Sequence, residues 1–413
     1  MRMGKGTGFG LALIGGLAVS GCGELGTLGD VLSSPVVRQL ATLTLAGVTP
    51  AADFRETGNI NFSVLPDDAD GTVLQLANLQ ESGMKVEVQN EDGTYSDCEH
   101  SSGEVVEPYE QSAITLLLDG SGSMELAYPP SEYGDVCVTC PHDPTRERIA
   151  AARGLIDRVS DVSPDTEMAL AEFGPEASSG FTVTRLHSDF TVDPSALAAG
   201  LESVGGDERD GTPLYDSIAE MLGETREAAK AMETTLRTER GEDVSWEASE
   251  PGTDPDEASD VPIEEREVAR YIVVLSDGID TESTRHDLAS VTDLAQRSGV
   301  AVYAVGLGPA SASSADPDQF EPGQTQAVRD LQKLARDTGG FYAAAKNPAQ
   351  LRDLYDALGR ALTEGYTVET YSCIPKPTAD TPKEDCDVPA VGSRVDGRVS
   401  MGDLTIPWVT IAN

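Results

Sequence analysis

Three short stretches place oxygen-bearing side chains where the chain is expected to turn. Asp119-Gly120-Ser121-Gly122-Ser123 follows an apolar run from Ala113 to Leu118. Asp210-Gly211-Thr212-Pro213 leads into a helical pattern, and Ser276-Asp277-Gly278 follows a second apolar run from Tyr271 to Leu275. Carboxylate and hydroxyl oxygens are hard donors. Gathered with water into a six-fold shell they suit Mg²⁺, with Mn²⁺ or Ca²⁺ as further candidates. Two aspartates balance the charge of one divalent ion and leave a position attractive to an incoming carboxylate. Gly120 and Gly122 are read as letting the backbone turn tightly enough for both serine hydroxyls to face one point. The same residues offer little to a catalyst. The chain has only four histidines, neither Ser121 nor Ser123 has a motif-linked histidine base, and no second carboxylate cluster marks a two-metal phosphatase.

The elements that must carry these turns alternate between strand and helix. Ala113 to Leu118 is nearly unbroken apolar, as a parallel strand buried on both faces requires. Ile149, Ala152, Ile156 and Val159 recur at helical spacing. Met168 to Phe173, Phe181 to Leu186, Tyr271 to Leu275 and Val300 to Leu307 read as strands. Asp193-Pro194 and Asn347-Pro348 open helices, the second carrying Leu351, Leu354, Tyr355 and Leu358, and His286 to Arg297 forms another. This repetition predicts an α/β fold with a doubly wound, mostly parallel sheet. With strand order 3-2-1-4-5-6, the first and fourth strands flank the crevice where the winding reverses, and Asp119 and Asp277 both leave carboxyl ends there.

The stretch from Ser112 to Leu362, which carries these residues, resembles the von Willebrand factor A domain, including its later Leu334-Ala335-Arg336-Asp337-Thr338-Gly339-Gly340 segment. The resemblance implies a metal-ion-dependent adhesion site. Asp119, Ser121 and Ser123 match its DxSxS ligands, Thr212 its threonine, and Asp277 its second aspartate, which often acts through water. In that family the acidic side chain of a partner completes the shell of the ion. The function it implies is adhesion or assembly without turnover. The rival readings are a structural envelope protein in which the metal only stabilises loops and, further off, a metal-dependent hydrolase.

The flanks read differently. Ile60 to Leu65, Val73 to Leu76 and Met84 to Val88 have strand character, with turn signals at Asp67 to Gly71 and Glu91 to Thr94. Tyr366 to Tyr371, Gly392 to Met401 and Leu404 to Ile411 supply further strands, so the tail is expected to return and complete a small β-sandwich-like unit with the N-terminal segment. Domain limits follow at 46–111 for the N-terminal β part, 112–364 for the α/β part and 365–413 for the β tail. Insertions fall at 125–144, 241–265 and 310–323. Residues 241–265 hold ten acidic residues and no Lys or Arg, a solvated composition.

At the N-terminus, Arg2 and Lys5 precede an 11-residue apolar run from Phe9 to Val19, too short to span a bilayer and suited to a secretory signal. Val19-Ser20-Gly21-Cys22 resembles a bacterial lipobox. That resemblance implies a signal peptide over 1–21, lipid on Cys22 and a tether over 22–45, with Gly23 leaning toward outer-membrane sorting. In an oxidising envelope the five remaining cysteines are an odd set. Local pairing joins Cys137 to Cys140 and Cys373 to Cys386 and leaves Cys98 free, whereas pairing Cys98 with a tail cysteine staples the two ends together. A zinc reading of Cys137 and Cys140 with His142 lacks a fourth ligand nearby. Seventy-one acidic against 29 basic residues give a formal charge of −42, which excludes a nucleic-acid partner and leaves cations and basic partners. Aromatic residues, at 5 %, are too few for a base-stacking platform.

Overall fold

The computed structural model describes residues 42–69, 72–76, 79–125, 142–175, 182–205, 211–242, 244, 265–278, 280–312, 322–374, 389, 391–402 and 404–412. The signal and lipid expectations (1–21 and Cys22), most of the tether, Cys137, Cys140, Cys386, Asp210 and most of the three insertions lie outside the described residues. No helix among the described residues is long and apolar enough to cross a membrane.

Six strands build the central sheet: β6 (Gln111–Asp119), β7 (Glu167–Pro175), β8 (Thr182–Thr191), β9 (Val268–Ser276), β10 (Ala301–Leu307) and β11 (Tyr342–Ala345), in the order β11-β10-β9-β6-β7-β8. This is the expected doubly wound order. All neighbours run parallel except β7 and β8, which pair antiparallel at one edge. Alternation along the strands explains why the central runs are apolar throughout. Leu116, Leu118, Val273 and Leu275 face one layer, with α1 (Glu147–Val162), α2 (Pro194–Leu201) and α6 (Leu351–Glu364). Leu117, Ile272 and Val274 face the other, with α3 (Leu214–Arg240), α4 (Leu288–Ser298) and α5 (Pro322–Asp337). Asp193 caps α2 by accepting the Ser195 N–H at 2.9 Å, as Asp-Pro predicted. Asn347 precedes a single 3₁₀ turn, Pro348–Gln350, before α6 begins.

Two four-stranded antiparallel sheets form the second unit. One has the order β1-β2-β12-β5, from β1 (Thr42–Pro50), β2 (Asn59–Asp67), β12 (Tyr366–Ser372) and β5 (Glu99–Val106). The other has the order β14-β13-β3-β4, from β14 (Leu404–Ile411), β13 (Arg394–Met401), β3 (Lys85–Gln89) and β4 (Tyr95–Asp97). The tail thus pairs with the N-terminal strands in both sheets. Phe62 sits between them, edge-on to Tyr371 at 5.9 Å and Trp408 at 5.3 Å.

Two expectations need correcting, and one open pairing is decided. The tether does not extend to residue 45, because the Thr-Leu-Thr-Leu alternation from Thr42 enters β1, buries Leu43 and pairs with β2. Val73 to Leu76 is not a strand. β12 covers the second edge of β2 only from Asn59 to Val64, and in the short stretch beyond it only Val73 makes an isolated bridge, to Asp67. Of the two cysteine pairings left open, the structure has the staple: Cys373 bonds to Cys98, 275 residues away, with Cα atoms 4.5 Å apart, and not to Cys386. Antiparallel pairing of Ser372 with Glu99 brings the next residues of the two strands together, a proximity that sequence distance hides.

Candidate metal centre

β6 and β9 are neighbours in parallel register, with Leu118 opposite Leu275, so Asp119 and the Ser276-Asp277 turn emerge side by side at the switch point. Asp119 is fully buried. One carboxylate oxygen accepts the Ser121 N–H at 2.8 Å, and the other accepts the Ser276 hydroxyl at 2.9 Å and the Asp277 N–H at 3.4 Å. From there the oxygens form a chain: Ser121 Oγ lies 3.0 Å from Ser123 Oγ, which donates to Asp277 Oδ1 at 3.0 Å. Four of the five residues singled out therefore meet.

Thr212, the fifth, is buried on the adjoining loop. Its N–H donates to Thr281 Oγ1 at 2.9 Å and its carbonyl accepts the Thr281 N–H at 2.9 Å. No hydrogen bond among the described residues links its hydroxyl to the other four. The loop is held by further ties: Asp280 accepts the Tyr215 N–H at 3.2 Å, and Asp216 accepts those of Thr284 at 2.9 Å and His286 at 2.8 Å. Burial alone would raise the Asp216 carboxyl. The N–H donors of Thr284, His286 and Arg285 outweigh it and hold the group below the usual carboxylate range.

The electrostatics suit a cation. Burial first, and the nearby charge of Asp277 second, push Asp119 up to about 7 from an ordinary 3.8. Two acids forced together in a water-poor crevice lack positive charge, which a divalent ion supplies. Among the described residues no three His, Cys, Asp or Glu side chains converge. An ion here must therefore take hydroxyl and water oxygens too, the donor set of a hard cation. The oxygen donors present fit a hard divalent cation.

Two neighbours escape sequence reasoning. Glu172, buried on β7, accepts the Gly205 N–H at 2.8 Å and lies 2.8 Å from the His187 Nε2 atom. It ties Gly205 to β7. It also explains Gly120, which does not adopt a left-handed turn; a Cβ there would lie 2.3 Å from Glu172 Oε1. Gly120→Ala is expected to displace that carboxylate and destabilise the protein by about 1–3 kcal/mol, read as a lower denaturant midpoint. His142 is the second: its Nδ1 lies 2.6 Å from Asp277 Oδ2, so the imidazole considered as a zinc ligand beside Cys140 instead faces the aspartate.

No family model matches the chain, and no curated protein matches it in sequence. Among solved structures, it is similar to an aerotolerance-related membrane protein of Bacteroides fragilis at 18 % identity and a TM-score of 0.31, over 61 % of this chain and 96 % of that one. The SpRpn10 VWA domain matches at 14 % identity and a TM-score of 0.31, over 59 % and 93 %. Proximal thread matrix protein 1 from the mussel byssus, with a zinc-occupied MIDAS motif, matches at 12 % identity and a TM-score of 0.35, over 65 % of this chain. The chain spans about half the length of that mussel protein, 49 %. At such scores the strand order and loops of this chain carry the reading by themselves.

Proposed function

We propose that this chain is a non-catalytic binding protein of the von Willebrand factor A type. It recognises a partner through a divalent cation, Mg²⁺ before Mn²⁺ or Ca²⁺, at the carboxyl ends of β6 and β9. The observation that carries the reading is the continuous chain of oxygens from Ser121 through Ser123 to Asp277 beside the buried Asp119. Asp119, Ser121 and Ser123 would hold the ion, Asp277 would act through water, and Thr212 would join from its loop. When bound, the ion supplies a Lewis-acidic position for a carboxylate from a protein or other acidic ligand. The protein residues do the rest: they orient donors, exclude bulk water and fix the mouth of the crevice.

We place the protein in the cell envelope, held at the outer membrane by lipid on Cys22, with the lipobox-like Val19-Ser20-Gly21-Cys22 as support. Capture of an envelope partner by the mature chain should occur in Mg²⁺ and be lost in EDTA, with return on adding Mg²⁺. Capture indifferent to EDTA would leave only a structural role for the metal, and metal-dependent turnover of a substrate would make the protein an enzyme. Labelling of the intact chain with a fatty-acid probe, absent in Cys22→Ser, tests the anchor.

A further inference from the structure

We propose that His142 is a positioning residue for the ion, acting through Asp277; this rests on the metal reading above. Asp277 has two oxygens with separate tasks. Oδ1 accepts from Ser123 on the side of the serine pair, while Oδ2 faces His142 Nδ1 at 2.6 Å. A carboxylate held at only one oxygen can rotate about its terminal torsion, a broad, soft coordinate. With the imidazole N–H on Oδ2, rotation is blocked and Oδ1 stays directed at the serines. Losing a partner of this kind around a metal site typically costs about 10–100-fold in affinity.

The placement of His142 is built into the fold. Its backbone N–H donates to the Ser123 carbonyl at 2.9 Å, and the Asp143 N–H donates to that of Met124 at 2.8 Å. Asp143 is fully buried, accepts the Glu147 N–H at 2.7 Å at the start of α1, and pairs with the buried Arg148 at 2.9 Å. On its far side the ring packs against Gly308 at the end of β10, where a Cβ would stand 3.1 Å from His142 Cγ and the backbone is left-handed at φ +54°. The ring thus bridges the loop after β6, the turn after β9 and the end of β10. Its side chain stays 27 % exposed, which leaves it at the rim.

The test compares His142→Ala and His142→Asn with wild type by calorimetric Mg²⁺ titration of the full chain, with thermal melts in EDTA as a fold control. Asn offers an amide N–H at nearly the place of Nδ1–H, so it should rescue. We expect His142→Ala to weaken Mg²⁺ binding by roughly 10–100-fold and His142→Asn to recover most of that loss, with EDTA melting temperatures unchanged. Equal affinity in wild type and His142→Ala, tighter binding in His142→Ala, or failure of Asn to rescue in a folded variant would each overturn the proposal. Asp119→Ala separates the two readings: if it also binds Mg²⁺ like wild type, the metal centre itself is refuted, whereas loss there with no effect at His142 refutes only this role.

Discussion

Asp119→Asn is expected to abolish Mg²⁺ binding while making the metal-free protein more stable at pH 8. The carboxyl of Asp119 is pushed up to about 7 in the fold against an ordinary 3.8, by burial and then by Asp277. Between those values the folded state keeps a proton that the unfolded chain has released. Stability of the metal-free protein from this group therefore falls as pH rises from about 4 to about 7, and the deficit is complete above that. Asn carries no such proton, and the Ser276 hydroxyl can reverse its bond to accept from the amide. The gap in stability between the variant and wild type should open across this window, at about 1.4 kcal/mol per pKa unit. Mg²⁺ should narrow that gap at pH 8, since only wild type gains binding energy, about 2.7 kcal/mol at a hundredfold excess over Kd. Melting curves at pH 4, 6 and 8, with EDTA or Mg²⁺, check every part. A gap independent of pH, or equal Mg²⁺ stabilisation of both proteins, would refute the site.

The second large effect concerns the Cys98–Cys373 bond, which closes a loop of 275 residues of sequence separation around the whole α/β unit. Chain-entropy reasoning puts the stabilisation from so long a loop at about 5 kcal/mol, the upper end of the usual range. Cys98→Ser, or reduction of wild type, is expected to lower the melting temperature by roughly 10 °C or more. The bond joins the ends of β5 and β12, far in topology from the β6 and β9 turns, so Mg²⁺ affinity of the still-folded variant should stay within about twofold. An unchanged melting temperature on reduction would remove the crosslink from the account of stability.

Sequence periodicity carried the central sheet because its strands are buried on both faces and its helices on one. Leu116, Leu117 and Leu118 had to be apolar whichever layer each one met. The same logic was weaker in the β unit. β1 was hidden at its start in what read as a tether, since four alternating residues from Thr42 show no more than a local preference until β2 pairs with them. Val73 to Leu76 carried strand-like residues, but the edge of β2 left free beyond β12 is only long enough for a single bridge at Val73. Gly120 was read as a turn residue, yet its requirement is room for Glu172, a neighbour across the sheet.

The amino-acid order alone determined the three turns, the oxygen donors on them and the winding that brings two of them to one crevice, because these depend on local pattern and on the handedness of strand-helix-strand connections. Tertiary structure decided the rest: that His142 faces Asp277 across 135 residues, that Glu172 braces Gly205, and which cysteine Cys98 takes. Such contacts lie between elements distant along the chain, and their partners are chosen by strand register and layer packing, for which no spacing in the sequence stands as a sign.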